Sequence, residues 1–440
     1  MKRARVLAAV AAAVLGVSTV TAVAATASPR AASSAPSEVG LSDKQIHVAV
    51  IADVDTSLVP GLFKSSVDAM RAWAKHVNSQ GGVAGRQVVI DFYDSKLNPT
   101  QTRNAIIQAC QNDFAMVGGE ALFMSNVSDM TSCKDAAGNV TGLPDVPGTA
   151  LDPNEQCAPV TYDLFAIGSY CSTRDQHPQT YQSQTGDARY YLKKFKNLHG
   201  IFAVASDLKS TRNNELPTFT ADAKLGMKKD GQGFYDVSAR APQSAVTPFI
   251  EVVKQNNSNF VYNGSAPSVA VELRKEAVLQ GANSVKVWAC NQACYTADFI
   301  KQAGSDAEGE TSVIYTLPFY SEYKTNPSLQ ALVKGVGGVN NTDSNAVFSW
   351  VSALLFQDAM AKAAKAGPLT RKSLLTALAN EHSFDAQGIT GPNDVGNRRP
   401  PACIMIAQVK RGRWQRLYPT KAGTFDCDKK NVATSQMDLG

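Results

Sequence analysis

Short apolar runs alternate with amphipathic segments along most of the chain. Gln45–Ala52 is a buried strand by its composition, and residues 87–93 and 114–118 repeat that pattern. Between these runs, residues 62–80 place Phe63, Val67, Met70, Trp73, Ala74 and Val77 on one helical stripe, and residues 98–111 predict a second helix with Pro99 in its first turn. This order of strands and helices predicts a parallel sheet with helices on both faces.

The alternation restarts near residue 180, which indicates a second α/β lobe. Helices are predicted over residues 181–196, 217–229, 248–255 and 267–280, and strands over residues 200–205, 234–238, 260–262 and 285–288. Two late helices, 346–364 and 370–379, need a lobe to pack on. Residues 403–409 and 413–418 predict a hairpin with its turn at 410–412. The pattern therefore predicts an α/β protein with two lobes.

The N-terminus has the pattern of an export signal. Lys2, Arg3 and Arg5 precede an uncharged Ala/Val/Leu run, and the small residues 25–27 predict cleavage after Ala27. The alternative is a permanent anchor helix. No cysteine lies near the new N-terminus, so we expect no lipid anchor, and the Ser/Ala/Pro-rich residues 28–42 predict a disordered leader.

Composition excludes several classes of protein. With 44% apolar and 18% charged residues among 440, the chain is not wholly disordered. No apolar run outside the first thirty residues is long enough to cross a membrane. Removing the signal lowers the formal charge of +5 by three, to +2, and no basic patch with interleaved aromatic residues remains, so we expect no nucleic-acid partner.

All eight cysteines follow the signal, and an even number in an oxidising compartment predicts disulfides. Sequence alone does not choose between pairings, but sequential pairing is the simplest. A zinc site is disfavoured because Cys290 and Cys294 lack the usual spacing and no histidine lies near them, so we expect neither a metal nor a cofactor. The predicted pairs are Cys110–Cys133, Cys157–Cys171, Cys290–Cys294 and Cys403–Cys427.

Several stretches together resemble the leucine/isoleucine/valine-type solute-binding proteins of ABC importers. Residues 77–86 (VNSQGGVAGR) are similar to that family's "INAxGGIxGR" helix end, and residues 91–99 to its following strand and "D…DP" helix start. Residues 114–118, 146–150, 260–264 and 306–309 match further family segments in the same order. The resemblance spans residues 42–418.

This resemblance implies the type I periplasmic-binding fold: two doubly wound parallel-sheet lobes joined by a three-strand hinge, with a ligand in the cleft. The first lobe would contain residues 43–167 and 318–400, the second residues 168–317 and 401–428, and residues 429–440 would form a polar tail. The chain would be an exported monomer that captures a small polar molecule (an amino acid, an amide or a carboxylate-like compound) and presents it to ABC-importer membrane subunits.

The family match also implies where the ligand binds. The loop after the strand 114–118 and the loop at 148–150 would hold an anionic group through backbone N–H groups and hydroxyls. The alternatives are that the first loop is a plain strand–helix connector and that Thr149 is a turn residue that caps its own backbone. The candidates are Gly119, Glu120, Leu122, Phe123 and Ser125 in the first loop, Gly148, Thr149 and Ala150 in the second, Tyr170 past the first crossing, Tyr262 as an aromatic wall, and Asn291 and Gln292 after the strand 285–288.

One departure from the family concerns the ammonium group of an amino acid. Amino-acid binders place an acidic residue near the position of Asn291, but residues 285–297 contain no Asp or Glu. A buried ammonium without a partner is costly. Either the ligand has no ammonium group, or another acid such as Asp207 or Glu120 serves.

Two other functions compete with this interpretation. A secreted hydrolase is disfavoured because no Gly-x-Ser-x-Gly motif occurs and the chain has only five histidines. No phosphate-binding loop is present, so we do not expect the ATP-hydrolysing subunit of an importer. A soluble sensor or scavenger of the same fold, working without a transporter, stays open because a lipid-anchor cysteine is lacking. We therefore expect a binding protein and not an enzyme.

Overall fold

The computed structural model describes residues 38–56, 59–124, 126–166 and 171–439. The predicted signal peptide and the leader as far as residue 37 lie outside the described residues. The same holds for the candidates Ser125 and Tyr170 and for residue 167, where the first crossing between lobes was expected.

The first part of the chain forms a parallel sheet of strand order β2-β1-β3-β4. Its elements are β1 (Gln45–Ala52), α1 (Lys64–Ser79), β2 (Gln87–Asp94), α2 (Pro99–Asn112), β3 (Ala115–Val117), α3 (Ser128–Thr131), β4 (Asp145–Val146) and α4 (Pro153–Gln156). The predicted stripe of α1 is buried, and the Asn98 side chain caps α2 by accepting from two backbone N–H groups. A Cβ on Gly82, after α1, would lie 1.9 Å from the carbonyl oxygen of Arg86, so this turn requires glycine.

The second part of the chain contains most of the remaining elements. They are β5 (Gln179–Gln184), α5 (Gly186–Lys194), β6 (His199–Ala205), α6 (Lys209–Lys224), β7 (Lys228–Val237), α7 (Gln243–Gln255), β8 (Phe260–Asn263), α8 (Pro267–Gln280), β9 (Val287–Cys290), α9 (Ala297–Ala303) and β10 (Thr311–Ile314). The chain continues with α10 (Phe319–Glu322), α11 (Pro327–Gly335), α12 (Ser344–Ala366), α13 (Arg371–Ala379), β11 (Met405–Lys410), β12 (Arg413–Tyr418) and β13 (Val432–Met437).

Among the described residues, seven of these strands form a second sheet of order β12-β11-β10-β9-β8-β6-β7. The strands β6 to β10 pair in parallel, and the predicted hairpin of β11 and β12 adds to β10 in antiparallel fashion. We call the first sheet with its helices the first lobe and the second sheet with its helices the second lobe. The α/β two-lobe fold predicted from the sequence is thus confirmed.

The two late helices pack on the first lobe, as the resemblance implied. α12 lies against α1, β3 and β4, and α13 lies against α12. Ser349 and Ser352 of α12 donate hydrogen bonds of 2.8 and 2.6 Å to the carbonyl oxygens of Gly118 and Pro147. α12 therefore fixes the positions of the two loops in which ligand contacts were expected. The residue boundaries predicted for the lobes stay a prediction.

Two predicted helices differ most from the structure; a third, predicted over residues 248–255, also begins earlier, at Gln243. Residues 181–196 are divided between β5 and α5, because alternating residues of β5 face the core and the strand pairs with β13. The helix predicted from Pro217 begins at Lys209, so Pro217 lies inside α6 instead of in its first turn. In both places, long-range packing outweighs the local signal.

The predicted leader is more ordered at its inner end than expected, and the predicted polar tail contains a strand. The carboxylate of Glu38 accepts from the backbone N–H of Arg371, and Leu41 forms a β-bridge with Ile46, so the disordered-leader prediction is wrong for residues 38–42. Within the predicted polar tail, β13 pairs with β5 over six residues, from Val432 opposite Gln184 to Met437 opposite Gln179.

All four predicted disulfides are present: Cys110–Cys133, Cys157–Cys171, Cys290–Cys294 and Cys403–Cys427. Over the described part of the chain, no helix combines the length and apolar character that a membrane span requires.

Candidate ligand-binding site

A cavity of about 1100 Å³ lies among the loops that follow the parallel strands of both sheets. Residues after β1, β3 and β4 and at the start of α12 line it on the first lobe, and residues after β6, β7, β8, β9 and β10 line it on the second. Ligands of open α/β sheets bind outside the carboxyl ends of the strands. The cavity is therefore the candidate ligand-binding site.

Glu120, Leu122 and Thr149 are the predicted residues that line the cavity on the first lobe. Glu120 is 1% exposed, and its Oε1 accepts a 2.9 Å hydrogen bond from Ser66 of α1. Its Oε2 has no hydrogen-bond partner among the described residues, and neither has the hydroxyl of Thr149. Burial raises the pKa of Glu120 well above its ordinary range, and the nearby Asp343 and Asp163 raise it further.

Gly148 gives the Glu120 carboxylate its space. A Cβ on Gly148 would lie 2.7 Å from Oε1 of Glu120. The two loops are joined directly, because the backbone N–H of Gly148 donates to the carbonyl oxygen of Gly119 at 2.9 Å. Gly119 and Gly148 thus shape the first-lobe wall without lining the cavity themselves.

Two buried carboxylates hold the backbone of these loops. Asp53, at the end of β1, accepts from the N–H of Leu122 at 2.8 Å. Asp163 accepts from the N–H of Ala150 at 2.9 Å and from the N–H of Phe165 at 2.7 Å. The amides at Leu122 and Ala150 are therefore already paired inside the protein.

Tyr262, Asn291 and Gln292 line the cavity on the second lobe. The Cys290–Cys294 disulfide closes the short turn that carries Asn291 and Gln292. The backbone N–H of Ala293 donates to Oδ1 of Asn291. The Nδ2 group of Asn291 is therefore turned toward Glu215 and donates to its Oε1 at 3.1 Å. An acid is therefore present beside Asn291, but it comes from α6.

Phe123, Ala150 and Asp207 were predicted to contact the ligand but do not line the cavity. Phe123 is half-buried in the first-lobe packing, and Ala150 is fully buried beneath the wall. Asp207 is exposed and accepts from the hydroxyl and backbone N–H groups of Ser238 and Ala239, at 2.6 and 2.9 Å. Asp207 is therefore already hydrogen-bonded within the second lobe, and it is not among the residues that line the cavity.

The acids Asp187, Glu215 and Asp343 line the cavity and were not singled out in the sequence. Burial raises the pKa of Glu215 to about 8 and that of Asp187 to about 6, and it raises the pKa of Asp343. One signal was available for Asp343, which directly precedes α12, a helix whose start the sequence predicts within two residues. Asp187 gave no such signal, because a helix was predicted across it. Nothing in the sequence indicated that Glu215 faces inward.

One group of residues elsewhere has the spacing of metal ligands. The potential ligand atoms of His47, Asp91 and Asp113 lie within 4.8 Å of one another on the first lobe. His47 already pairs with Asp91 at 2.7 Å, and Asp113 accepts from the hydroxyl of Tyr93 at 2.8 Å. Hydrogen bonding accounts for this arrangement, which lies apart from the residues that line the cavity.

Comparison with known proteins agrees with this geometry. The family model of periplasmic binding proteins matches residues 45–413. No curated protein sequence matches the chain significantly.

Solved structures share the fold at low sequence identity. A fatty acid ABC transporter substrate-binding protein from Thermomonospora curvata is 17% identical with a TM-score of 0.66, over 88% of this chain and 98% of that one. A branched-chain amino acid ABC transporter protein from Thermus thermophilus with bound valine is 12% identical with a TM-score of 0.67, over 89% and 98%. A leucine-binding protein from Thermotoga maritima is 14% identical with a TM-score of 0.61, over 84% and 97%.

The family match covers most of the chain, and these structures share its two lobes along nearly their whole length. The resemblance read from the sequence motifs is confirmed, and this chain belongs to the periplasmic binding protein family with the type I fold.

Proposed function

We propose that this protein is an extracytoplasmic solute-binding protein that captures a small polar ligand between its two lobes and presents it to the membrane subunits of an ABC importer. The observation that carries the proposal is the cavity of about 1100 Å³, to which both lobes contribute polar side chains. Ligand sites commonly occupy about 300–1,000 Å³, so the space suits one small molecule and leaves room for closure.

The unpaired polar groups of the first-lobe wall support a binding role. A buried polar group without a partner costs about 1–3 kcal/mol, and a ligand that supplies the missing hydrogen bonds recovers part of that cost. Glu120 and Thr149 both line the cavity, and each has such a group buried in the first-lobe wall.

Connections between the lobes support ligand-dependent closure. The chain passes between the sheets after β4, after β10 and again before β11. Movement about a few connecting segments is the usual way in which two lobes close on a ligand. We propose that the closed form is the one that the importer recognises.

A thermal-shift screen of amino acids, amides, urea-like compounds and carboxylates tests the proposal. A ligand at about 100 times its Kd should stabilise the protein by about 2.7 kcal/mol. Small-angle scattering of the best compound should show a smaller radius of gyration. If no small molecule raises the melting temperature while hydrolysis of a glycan or ester is detected, the binding function is wrong.

A blocking variant ties any effect to the cavity. Thr211 of α6 lines the cavity, so Thr211→Trp should weaken binding of the compound found in the screen. Lys224 lies exposed at the end of the same helix, and Lys224→Trp is the matched control that should bind normally.

A further inference from the structure

The first-lobe wall offers few free donors to a carboxylate. In the resembled family, its two loops hold the α-carboxylate of an amino acid. Here the N–H groups of Leu122 and Ala150 donate instead to Asp53 and Asp163, which are themselves buried. A ligand carboxylate that bound these two N–H groups would have to displace an internal carboxylate that already has its hydrogen bonds.

The cavity also holds an excess of acids. Its acidic lining residues are Asp68, Glu120, Asp187, Glu215, Asp298 and Asp343. Its basic lining residues among the described part of the chain, Lys64 and Arg240, are both exposed, and Lys64 is paired with Asp68. Among the described residues, no lysine or arginine is a main influence on the charge of Glu120 or Glu215.

The electrostatic surroundings of the two glutamates are acidic on each side. Asp343 of α12 and Asp163 act on Glu120 from the first lobe. The groups that interact with Glu215 are Asp187 of α5, Asp222 of α6, and the hydroxyls of Tyr262 and Tyr315. A ligand that brings a positive charge favours the carboxylate form of these acids and is attracted to it, whereas one that brings a negative charge disfavours that form.

On these grounds we infer that the ligand is an organic cation without a carboxylate group, such as an alkyl ammonium or guanidinium compound, held between Glu120 of the first lobe and Glu215 of the second. This inference rests on the proposed binding function and narrows its ligand class. Glu120 would bind the cation through Oε2, which has no hydrogen-bond partner among the described residues. Asn291 donates to Oε1 of Glu215 and so holds that carboxyl group in place. Tyr262, Tyr315 and Tyr320 line the same cavity and add aromatic rings of the kind that attract cations.

Binding of such a cation should release protons. A buried carboxyl with no cation beside it keeps its proton, and the arriving ammonium favours the carboxylate, so the proton passes to solvent. A buried acid with a purely structural role would keep its proton when the ligand binds, so no protons would be released.

The test uses pairs of compounds that differ only by the α-carboxylate: agmatine and arginine, putrescine and ornithine, cadaverine and lysine, isoamylamine and leucine. Calorimetry on the full protein should show that the amine of at least one pair binds about tenfold or more tightly than its amino acid. Titrations in buffers of different ionisation enthalpy should show protons released. Glu120→Gln and Glu215→Gln should each weaken that amine about tenfold or more, and each should reduce the released protons.

Glu251 is exposed on α7, so Glu251→Gln is the matched control and should leave amine binding unchanged. Tighter binding of the amino acid than of its amine in every pair overturns the cation inference and leaves the proposed function intact. Absence of binding by every amine also overturns it. The binding function itself falls only if the wider screen of neutral and anionic compounds gives no ligand either.

Discussion

Replacing Arg371 by lysine is expected to destabilise the first lobe by about 4 kcal/mol. Arg371 is the first residue of α13 and is 0% exposed. Its guanidinium donates to the carbonyl oxygens of Phe114, Cys110 and Lys134 at 3.2, 2.9 and 2.9 Å, and also to that of Asp113. One side chain thus joins α13 to the end of α2, the start of β3 and the loop after Cys133.

The expected magnitude follows from the number of these bonds. A lysine ammonium is a single nitrogen on a flexible stem, so it cannot reach all four carbonyl oxygens at once. At least two buried carbonyl groups would lose their donor, and each such loss costs about 1–3 kcal/mol, which gives about 2–6 kcal/mol in total. Arg371→Met removes every donor and should cost at least as much.

Urea unfolding, followed by the fluorescence of Trp73 and Trp350, measures this loss because both rings are buried in the first lobe. Arg399→Lys is the matched control: Arg399 is exposed and lies 3.6 Å from Asp394, so its change should stay below about 1 kcal/mol. If Arg371→Met is as stable as the native protein, the cost of burying the cation outweighs its hydrogen bonds, and the reasoning is refuted.

Three further predictions concern single side chains. Glu215 keeps its proton up to about pH 8 in the native protein but loses it near pH 4.5 in the unfolded chain. The free energy of unfolding should therefore fall by up to about 1.4 kcal/mol per pH unit from pH 5 to 7. Glu215→Gln should flatten that slope, and equal slopes for the variant and the native protein would contradict the assignment. Asn78 forms hydrogen bonds with both the N–H and the carbonyl oxygen of Val88. Asn78→Ala should therefore lower the free energy of unfolding in urea by about 2 kcal/mol, and Asn78→Asp, which keeps one of the two bonds, should lower it by less. Equal losses for the two variants would contradict this account. Ser328→Ala removes the partner of the buried Trp350 Nε1 and should cost about 1–3 kcal/mol in the same assay, whereas no change would mean that the indole has another acceptor.

The sequence predicted the first lobe well because its signals are local. The apolar run of β1, the stripe of α1 and the Asn98–Pro99 helix start each fix their element within one or two residues. The signals failed where distant partners decide the structure. β5 has a polar sequence and is a strand because β13 pairs with it, about 250 residues later in the chain.

The candidate site was predicted in part for the same reason. Glu120, Thr149, Tyr262 and Asn291 follow strands, so the topology alone brings them to the cavity. Glu215 escaped notice because the helix was expected to begin at Pro217, which left Glu215 in an apparent loop. The pairing of Leu122 with Asp53 depends on a contact over 69 residues, which no local pattern reveals.

The pairing of β13 with β5 has a consequence for the order in which the protein forms. β5 comes about 250 residues before β13 in the chain, so the pairing of β5 requires a distant segment to dock. Ser435 of β13 also donates to the carbonyl oxygen of Pro217, inside the helix that carries Glu215. The wall of the cavity that α6 provides therefore gains its contacts with β13 only when that distant strand has docked.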